Sequence, residues 1–253
     1  MLNRIFKKLE LKVLSSKSTA ALTKKLKSKS GVIFLMYHST PETNEDYLFT
    51  TNKNSFEMQV KFLSEHCNVL SVSQGLEKVF DKESPEDKLS VAITFDDGFK
   101  NNLDIAIPIL EKHQLPATIF LTTDFISNSN NSFLNWEQVE ELSKSNLIEL
   151  GAHGASHANL KCLDKGDLNR ELLESKSCIE SVSGKPVRYL AYPSGGYCKH
   201  SMELVQKNYH AAFKDRMDGN ADDDKRKVGR IGIDSRQNDL KSFLVHLNMA
   251  KCL

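Results

Sequence analysis

From Gly31 onward the chain repeats one cadence, a short apolar run followed by a stretch of helical length. The runs at 31–37 (GVIFLMY), 69–72, 89–95 (LSVAITF), 116–122 (PATIFLT), 147–152 (LIELGA), 187–192 (VRYLAY), 210–213 and 228–233 read as strands. Helix-like stretches fill 55–66, 73–80, 102–113, 136–145, 164–182, 200–208 and 238–249, and Pro108 kinks or starts the third of them. Strands each followed by a helix pair in parallel through right-handed crossovers. Seven or eight such units without a clear break predict an α/β fold, a distorted (β/α) barrel of about seven parallel strands spanning 31–253. The alternative is an open, doubly wound sheet. No internal repeat and no G-x-G-x-x-G or G-x-x-x-x-G-K-[ST] loop is present, so nucleotide binding has little support.

Charge divides the chain unevenly. Residues 1–30 carry Arg4 and eight lysines against Glu10, a local net of +8 in a chain of net +1. The whole-chain balance therefore gives no field for nucleic acid. Leu2, Ile5, Phe6, Leu9 and Val13 have helical spacing with basic residues between them. Such a helix either lies on an anionic membrane surface, through residues 1–28, or packs on the domain with its lysines in water. Lys24, Lys25, Lys27 and Lys29, mixed with serines, read as a linker, which makes 1–30 a basic leader before the barrel. The sequence contains no run of 18 apolar residues and no unbroken apolar stretch of a signal peptide. Five scattered cysteines without a C-x-x-C pair suit reduced thiols rather than a disulfide framework or a thiolate zinc site. The expected location is the cytoplasm, with a peripheral position on the inner membrane face if the leader binds lipid.

Three segments carry chemistry. Thr94-Phe95-Asp96-Asp97-Gly98 ends an apolar strand, where barrel active sites are built. Adjacent carboxylates are costly together unless a cation neutralises one, although Asp-Asp-Gly is also ordinary turn chemistry. Gly151-Ala152-His153-Gly154-Ala155-Ser156-His157 ends another strand, and H-x-x-x-H can place two imidazoles on one metal. Gly154 follows His153 where the zinc proteases carry a glutamate base, so this is not that motif. Arg188-Tyr189-Leu190-Ala191-Tyr192-Pro193-Ser194-Gly195-Gly196 runs from a strand into a Pro/Gly loop.

In this order the three segments resemble the polysaccharide deacetylase family, the chitooligosaccharide deacetylase homology domain of carbohydrate esterase family four. T-F-D-D-G is present letter for letter, and H-x-x-x-H and P-x-G follow in sequence. The resemblance covers roughly residues 31–235. It implies one divalent metal, usually zinc, held by Asp97, His153 and His157, with Asp96 as the base toward the attacking water. The loop Tyr192, Pro193, Ser194 and Gly195 would contribute a backbone N–H to the oxyanion. The implied reaction is hydrolysis of N-acetyl groups on the amino sugars of a poly- or oligosaccharide, releasing acetate. A lipid-linked or nascent surface saccharide is the substrate that fits a basic leader. A catalytically silent carbohydrate-binding barrel, or another mononuclear metallohydrolase, is the alternative.

Two features depart from the common family pattern. Its late L-x-H motif supplies the acid, yet Leu244-Val245-His246 lies in a stretch of helical spacing. Some members look circularly permuted, with the last strand moved to the front and ending in M-Y-H, and Met36-Tyr37-His38 matches them. His38 is therefore the expected acid. An arginine that usually precedes the third motif's proline is replaced by Ala191, leaving Arg188 or Arg230 to orient Asp96. Trp136, the sole tryptophan, is either a sugar-stacking platform or a packing residue at a helix start.

Overall fold

The computed structural model describes residues 17–80, 88–128, 130–161, 163–215 and 224–253. The amphipathic stretch read at residues 1–14 lies outside them. Strands form at all eight apolar runs: β1 Val32–Tyr37, β2 Asn68–Leu70, β3 Ser90–Phe95, β4 Ala117–Leu121, β5 Ile148–Ala152, β6 Tyr189–Ala191, β7 Ala211–Asp215 and β8 Val228–Gly232. Every pairing is parallel. The first strand closes the ring. β1 pairs along its whole length with β3, Val32 opposite Ser90 through Tyr37 opposite Phe95, and on its other edge with β8 at Ile231 and Gly232. Seven strands, in the order β1-β8-β7-β6-β5-β4-β3, thus make a closed barrel, and the open sheet is excluded. The distortion has a simple source: β2 occupies the lower half of β3's second edge at Ser90–Ala92, while β4 takes the upper half at Ile93–Phe95.

The helices, in chain order, are α1 Lys17–Lys27, α2 Lys53–His66, α3 Val72–Phe80, α4 Ile107–Lys112, α5 Thr123–Ser127, α6 Trp136–Ser143, α7 Lys165–Asn169, α8 Ser175–Ser183, α9 Lys199–Asn208 and α10 Leu240–Met249. A π-helical turn, Asn102–Ala106, leads into α4 just ahead of Pro108. Proline has no N–H to give the preceding turn, and a widened turn accommodates that loss. A second π turn, Arg170–Glu174, joins α7 to α8. The stretch read as a linker is instead helical: α1 buries Leu26 against α10, and Asn248 donates from α10 to the Leu22 carbonyl. Just beyond α1, the Lys29 ammonium caps the carbonyls of Leu247 and Ala250. Lys29 thus satisfies the end of a neighbouring helix, a use that charge composition does not reveal. None of the described helices is long and apolar enough to cross a membrane.

Strand alternation stacks the barrel interior in layers. Phe34, Phe120 and Phe213 meet near the middle, with ring centroids 5.2 and 5.7 Å apart. Helix α3 presses Val72 and Leu76 into the same cluster from below. Gly151 faces inward on β5, and a Cβ there would stand 2.5 Å from the Phe120 ring, so no larger residue fits. Above the rings lies the Arg230 guanidinium, 5.3 Å from the centre of Phe120. The same alternation then brings Thr94, Asp96 and Asp215 to the upper mouth, where the strands end.

Candidate active site

Asp96 is the inward residue that follows β3, and only 1% of it is exposed. Arg230 on β8 donates to both of its oxygens at 2.6 Å, to Asp215 at 3.0 Å and to Thr94 Oγ1 at 3.1 Å. Burial alone would raise the Asp96 carboxyl, but the charge and hydrogen bonds of Arg230 outweigh it and hold the group ionised. Asp215 moves the other way, because burial and the charge of Asp96 exceed its single bond to Arg230.

Asp97 leaves the strand in a left-handed conformation, φ 73°, and Gly98 continues the turn at φ 80°. His153 follows β5 and its Nδ1 lies 2.8 Å from the Ala191 carbonyl. A carbonyl partner makes Nδ1 the protonated nitrogen, so the lone pair belongs to Nε2. That Nε2 stands 3.5 Å from Asp97 Oδ1, and His157 Nε2 stands 3.4 Å from the same oxygen. One ligand atom from each of the three lies within 4.8 Å of the others.

Two observations fit a cation here. Asp97 Oδ1 is buried without a hydrogen-bond partner, an arrangement that costs several kcal/mol unless a positive charge meets it, by the usual penalty for a buried unpaired charge. The two distances to Asp97 Oδ1 agree as well: bonds of about 2.0–2.2 Å in a tetrahedral site put ligand atoms about 3.4 Å apart. Without a cation, burial and the charges of Asp96 and Asp215 push the Asp97 carboxyl up to about 7. Burial likewise pushes His153 down to about 4, so neither group carries its charge easily alone.

The remaining expected residues divide between the two rims. His38 follows β1 at the same upper mouth, its backbone carbonyl accepting from Asn102 at 2.7 Å. Burial lowers its pKa, with Asp96, Arg230, His157 and Asp234 acting on the ring. Its Nδ1 is buried without a partner. His246 lies on α10, its Nε2 2.9 Å from the Gly232 carbonyl, away from the cluster. Arg188 does not approach Asp96. It precedes β6 at the lower rim, exposed, where it acts on Glu149 instead. The reason is register: three residues before Ala191 is the opposite end of a three-residue strand.

The third loop narrows to one backbone donor. The Tyr192 N–H already donates to Phe213, Pro193 has none, and Gly195 donates back to Tyr192. A 3-10 turn leaves its first donors free, which points to Ser194, held at φ 52°. Of the four described non-glycine residues at positive φ, three (Asp97, His157 and Ser194) lie in the three motif loops. Backbone strain of this kind costs about 1–3 kcal/mol each and collects at functional sites.

Two residues escape sequence reading. Asp215 lies beyond the apolar run at 210–213, although inward alternation from Ala211 and Phe213 leads to it. Glu171 accepts from the N–H of Ala155 at 2.7 Å and of Ser156 at 3.0 Å, and from Ser156 Oγ at 2.6 Å. It therefore grips the loop between the two histidines. Gly154 is required beside it, since a Cβ would stand 2.6 Å from Glu171 Oε2. An acid in line with buried Leu168, Leu172 and Ser175 was the available signal.

The sequence profile described as polysaccharide deacetylase matches residues 83–212, just over half of the chain. The chain belongs to the polysaccharide deacetylase family. YxkH of Bacillus subtilis, whose name assigns it provisionally to the polysaccharide deacetylases, is 28% identical over 174 residues, which are 68% of this chain and 60% of YxkH. A Staphylococcus aureus poly-beta-1,6-N-acetyl-D-glucosamine N-deacetylase is 27% identical over 210 residues, 73% of this chain and 72% of the relative. Among solved structures, the Streptococcus pyogenes deacetylase PplD in complex with acetate superposes with a TM-score of 0.76 at 22% identity, over 86% of this chain and 98% of PplD. That likeness shows a shared fold. For a polysaccharide deacetylase, the three motif loops of this chain stand together at one barrel mouth.

Proposed function

We propose that this chain hydrolyses the acetamide of an N-acetylated amino sugar within a poly- or oligosaccharide, releasing acetate. The carrying observation is the meeting of Asp97, His153 and His157 at one point, with an Arg230-held carboxylate, Asp96, beside it. A silent binding barrel has no use for this complete set. The Staphylococcus aureus relative, named for N-deacetylation of poly-beta-1,6-N-acetyl-D-glucosamine, supports the same substrate class.

Asp97, His153 and His157 would hold one divalent cation, zinc by the chemistry of the donor set. When bound, such a cation polarises the acetamide carbonyl and makes water a better nucleophile near neutral pH. Asp96, kept ionised by Arg230, takes the proton of the attacking water. The Ser194 N–H points charge stabilisation at the tetrahedral oxyanion. His38, at the same mouth, protonates the departing amine as it leaves. The position of β1 between β3 and β8 supports a permuted chain order in which M-Y-H serves as the acid-bearing strand.

Acetate release from a panel of N-acetylated saccharides, with zinc present, tests the reading. Asp96→Asn should keep one metal per chain and lose at least about a hundredfold in turnover, a usual general-base contribution. Near-normal release from that variant places the base elsewhere, and no release from any saccharide by the intact chain ends the proposal.

A further inference from the structure

An unbroken file of aromatic rings runs between two imidazoles of the site, those of His38 and His157. It starts at His38, whose ring centroid is 5.1 Å from Phe49, and passes to Tyr47 at 5.7 Å. From Tyr47 it crosses to Phe99, 6.4 Å away, which stacks on Phe133 at 4.9 Å. Phe125 follows at 4.6 Å from Phe133, and its ring lies stacked 6.0 Å from His157. The file thus borders the cation ligands along one side of the barrel mouth.

Its outer members are exposed and yet held firmly. Tyr47, Leu48 and Phe49 are 43, 47 and 42% exposed, three of the five large apolar side chains most open to solvent among the described residues. Loop flexibility does not account for them. Ser39 donates to the Phe49 carbonyl, Ser235 to that of Leu48, and the Thr50 hydroxyl to that of Tyr47. Across the mouth, Lys100 donates to Ser132 and Leu134 to Gly98, which fixes Phe99 against Phe133. Apolar surface kept in water by a pinned backbone marks a binding surface, and one already ordered loses little entropy on binding.

The ring faces select the occupant. A pyranose presents a flat face of weakly positive C–H groups, which suits the negative face of an aromatic ring. An acyl chain would call for an aliphatic groove, and the file holds a single aliphatic residue, Leu48. Trp136 does not take part: its indole N–H donates to Ser127 and its body packs against the core.

We propose that this file is a saccharide subsite, on which the sugar rings flanking the reacting residue stack, with Tyr47 and Phe49 as the outer platform. The inference rests on the deacetylase reading and names how that substrate is held.

Calorimetry of the full chain with a tetramer of β-linked N-acetylglucosamine tests it, alongside acetate release from the same tetramer. Tyr47→Ala should weaken tetramer binding about tenfold, the scale of one lost stacking face. Tyr47→Phe, which keeps the ring, should stay within about twofold of the parent by the same comparison. Both variants should retain the metal content of the parent. Equal affinity of Tyr47→Ala and the parent overturns the subsite, as does a Tyr47→Phe loss as large as that of alanine. A parent chain that does not bind the tetramer also overturns it. Binding that follows the ring, without acetate release, leaves the subsite standing and defeats the deacetylase reading instead.

Discussion

Arg230 and Asp96 stand 134 positions apart in sequence and meet through two parallel 2.6 Å hydrogen bonds inside the barrel. Both are essentially without solvent, and the same guanidinium also bonds Asp215 at 3.0 Å. The Arg230–Asp96 pair therefore sits dry above the Phe120 and Phe213 rings, and Asp215, whose side chain is 28% exposed, joins it from the mouth. Breaking such a set by removing one partner is more damaging than never having buried it, because the others keep their desolvation cost.

Arg230→Met should fit the space and still destabilise the fold by about 3–5 kcal/mol near neutral pH, the usual cost of orphaning a buried charge. The sign with pH follows from Asp96. Its folded pKa is depressed in the parent, so the pair's contribution is present above the ordinary carboxylate range, about 4, and is lost as pH falls through the depressed value. Urea titrations should show the two proteins converging toward low pH. The acid limb of the variant's pH–rate profile should move upward, since Asp96 then takes a proton more readily. A limb that stays in place would mean that Arg230 does not control the base.

Glu171→Ala should strip the loop between the histidines of three hydrogen bonds. Supporting residues around metal ligands are commonly worth about 10–100-fold in affinity. Competition against a chromophoric chelator should read a loss of that order, with Glu171→Gln in between. Unchanged metal affinity in a folded Glu171→Ala protein would assign Glu171 to packing alone.

The two candidate acids should separate cleanly. His38→Ala should slow acetate release about a hundredfold or more while the metal stays bound, the usual loss for a proton donor. His246→Ala should change turnover little, because its ring bonds the Gly232 carbonyl on the outer side of β8. Equal effects of the two substitutions would leave the proton donor unassigned.

Glu149 gives a prediction at the lower rim. Burial raises its pKa, against the opposing charge of Arg188 and a hydrogen bond from Thr118. The folded state therefore binds the proton more tightly than the unfolded chain, and stability falls as pH rises through that window. Glu149→Gln should be more stable than the parent at pH 7 and should lose that advantage near pH 4, by thermal melts. A stability difference that does not vary with pH would contradict the burial argument.

The reading of the strands succeeded because their signal is local. Apolar runs such as Val32–Tyr37 and Ser90–Phe95 must be buried wherever they go, and strand ends in a parallel barrel share one rim. That logic puts Asp96, Asp97, His153, His157 and His38 at one rim from the sequence alone. It failed where the deciding partner lies far along the chain. Lys24, Lys25, Lys27 and Lys29 look like a charged linker until α10 supplies the surface that buries Leu26 among them. Arg188 and Arg230 look alike in sequence, and strand register alone puts one at the lower rim and the other under Asp96. Glu171 shares a helix face with Leu168 and Leu172 in sequence, but only the fold brings the Ala155–Ser156 loop against that face. Composition, periodicity and motif order determined the barrel, its rim and the set of groups that could hold a cation. Tertiary structure decided which charges face each other across the dry interior, because that depends on register and closure, which no local segment encodes.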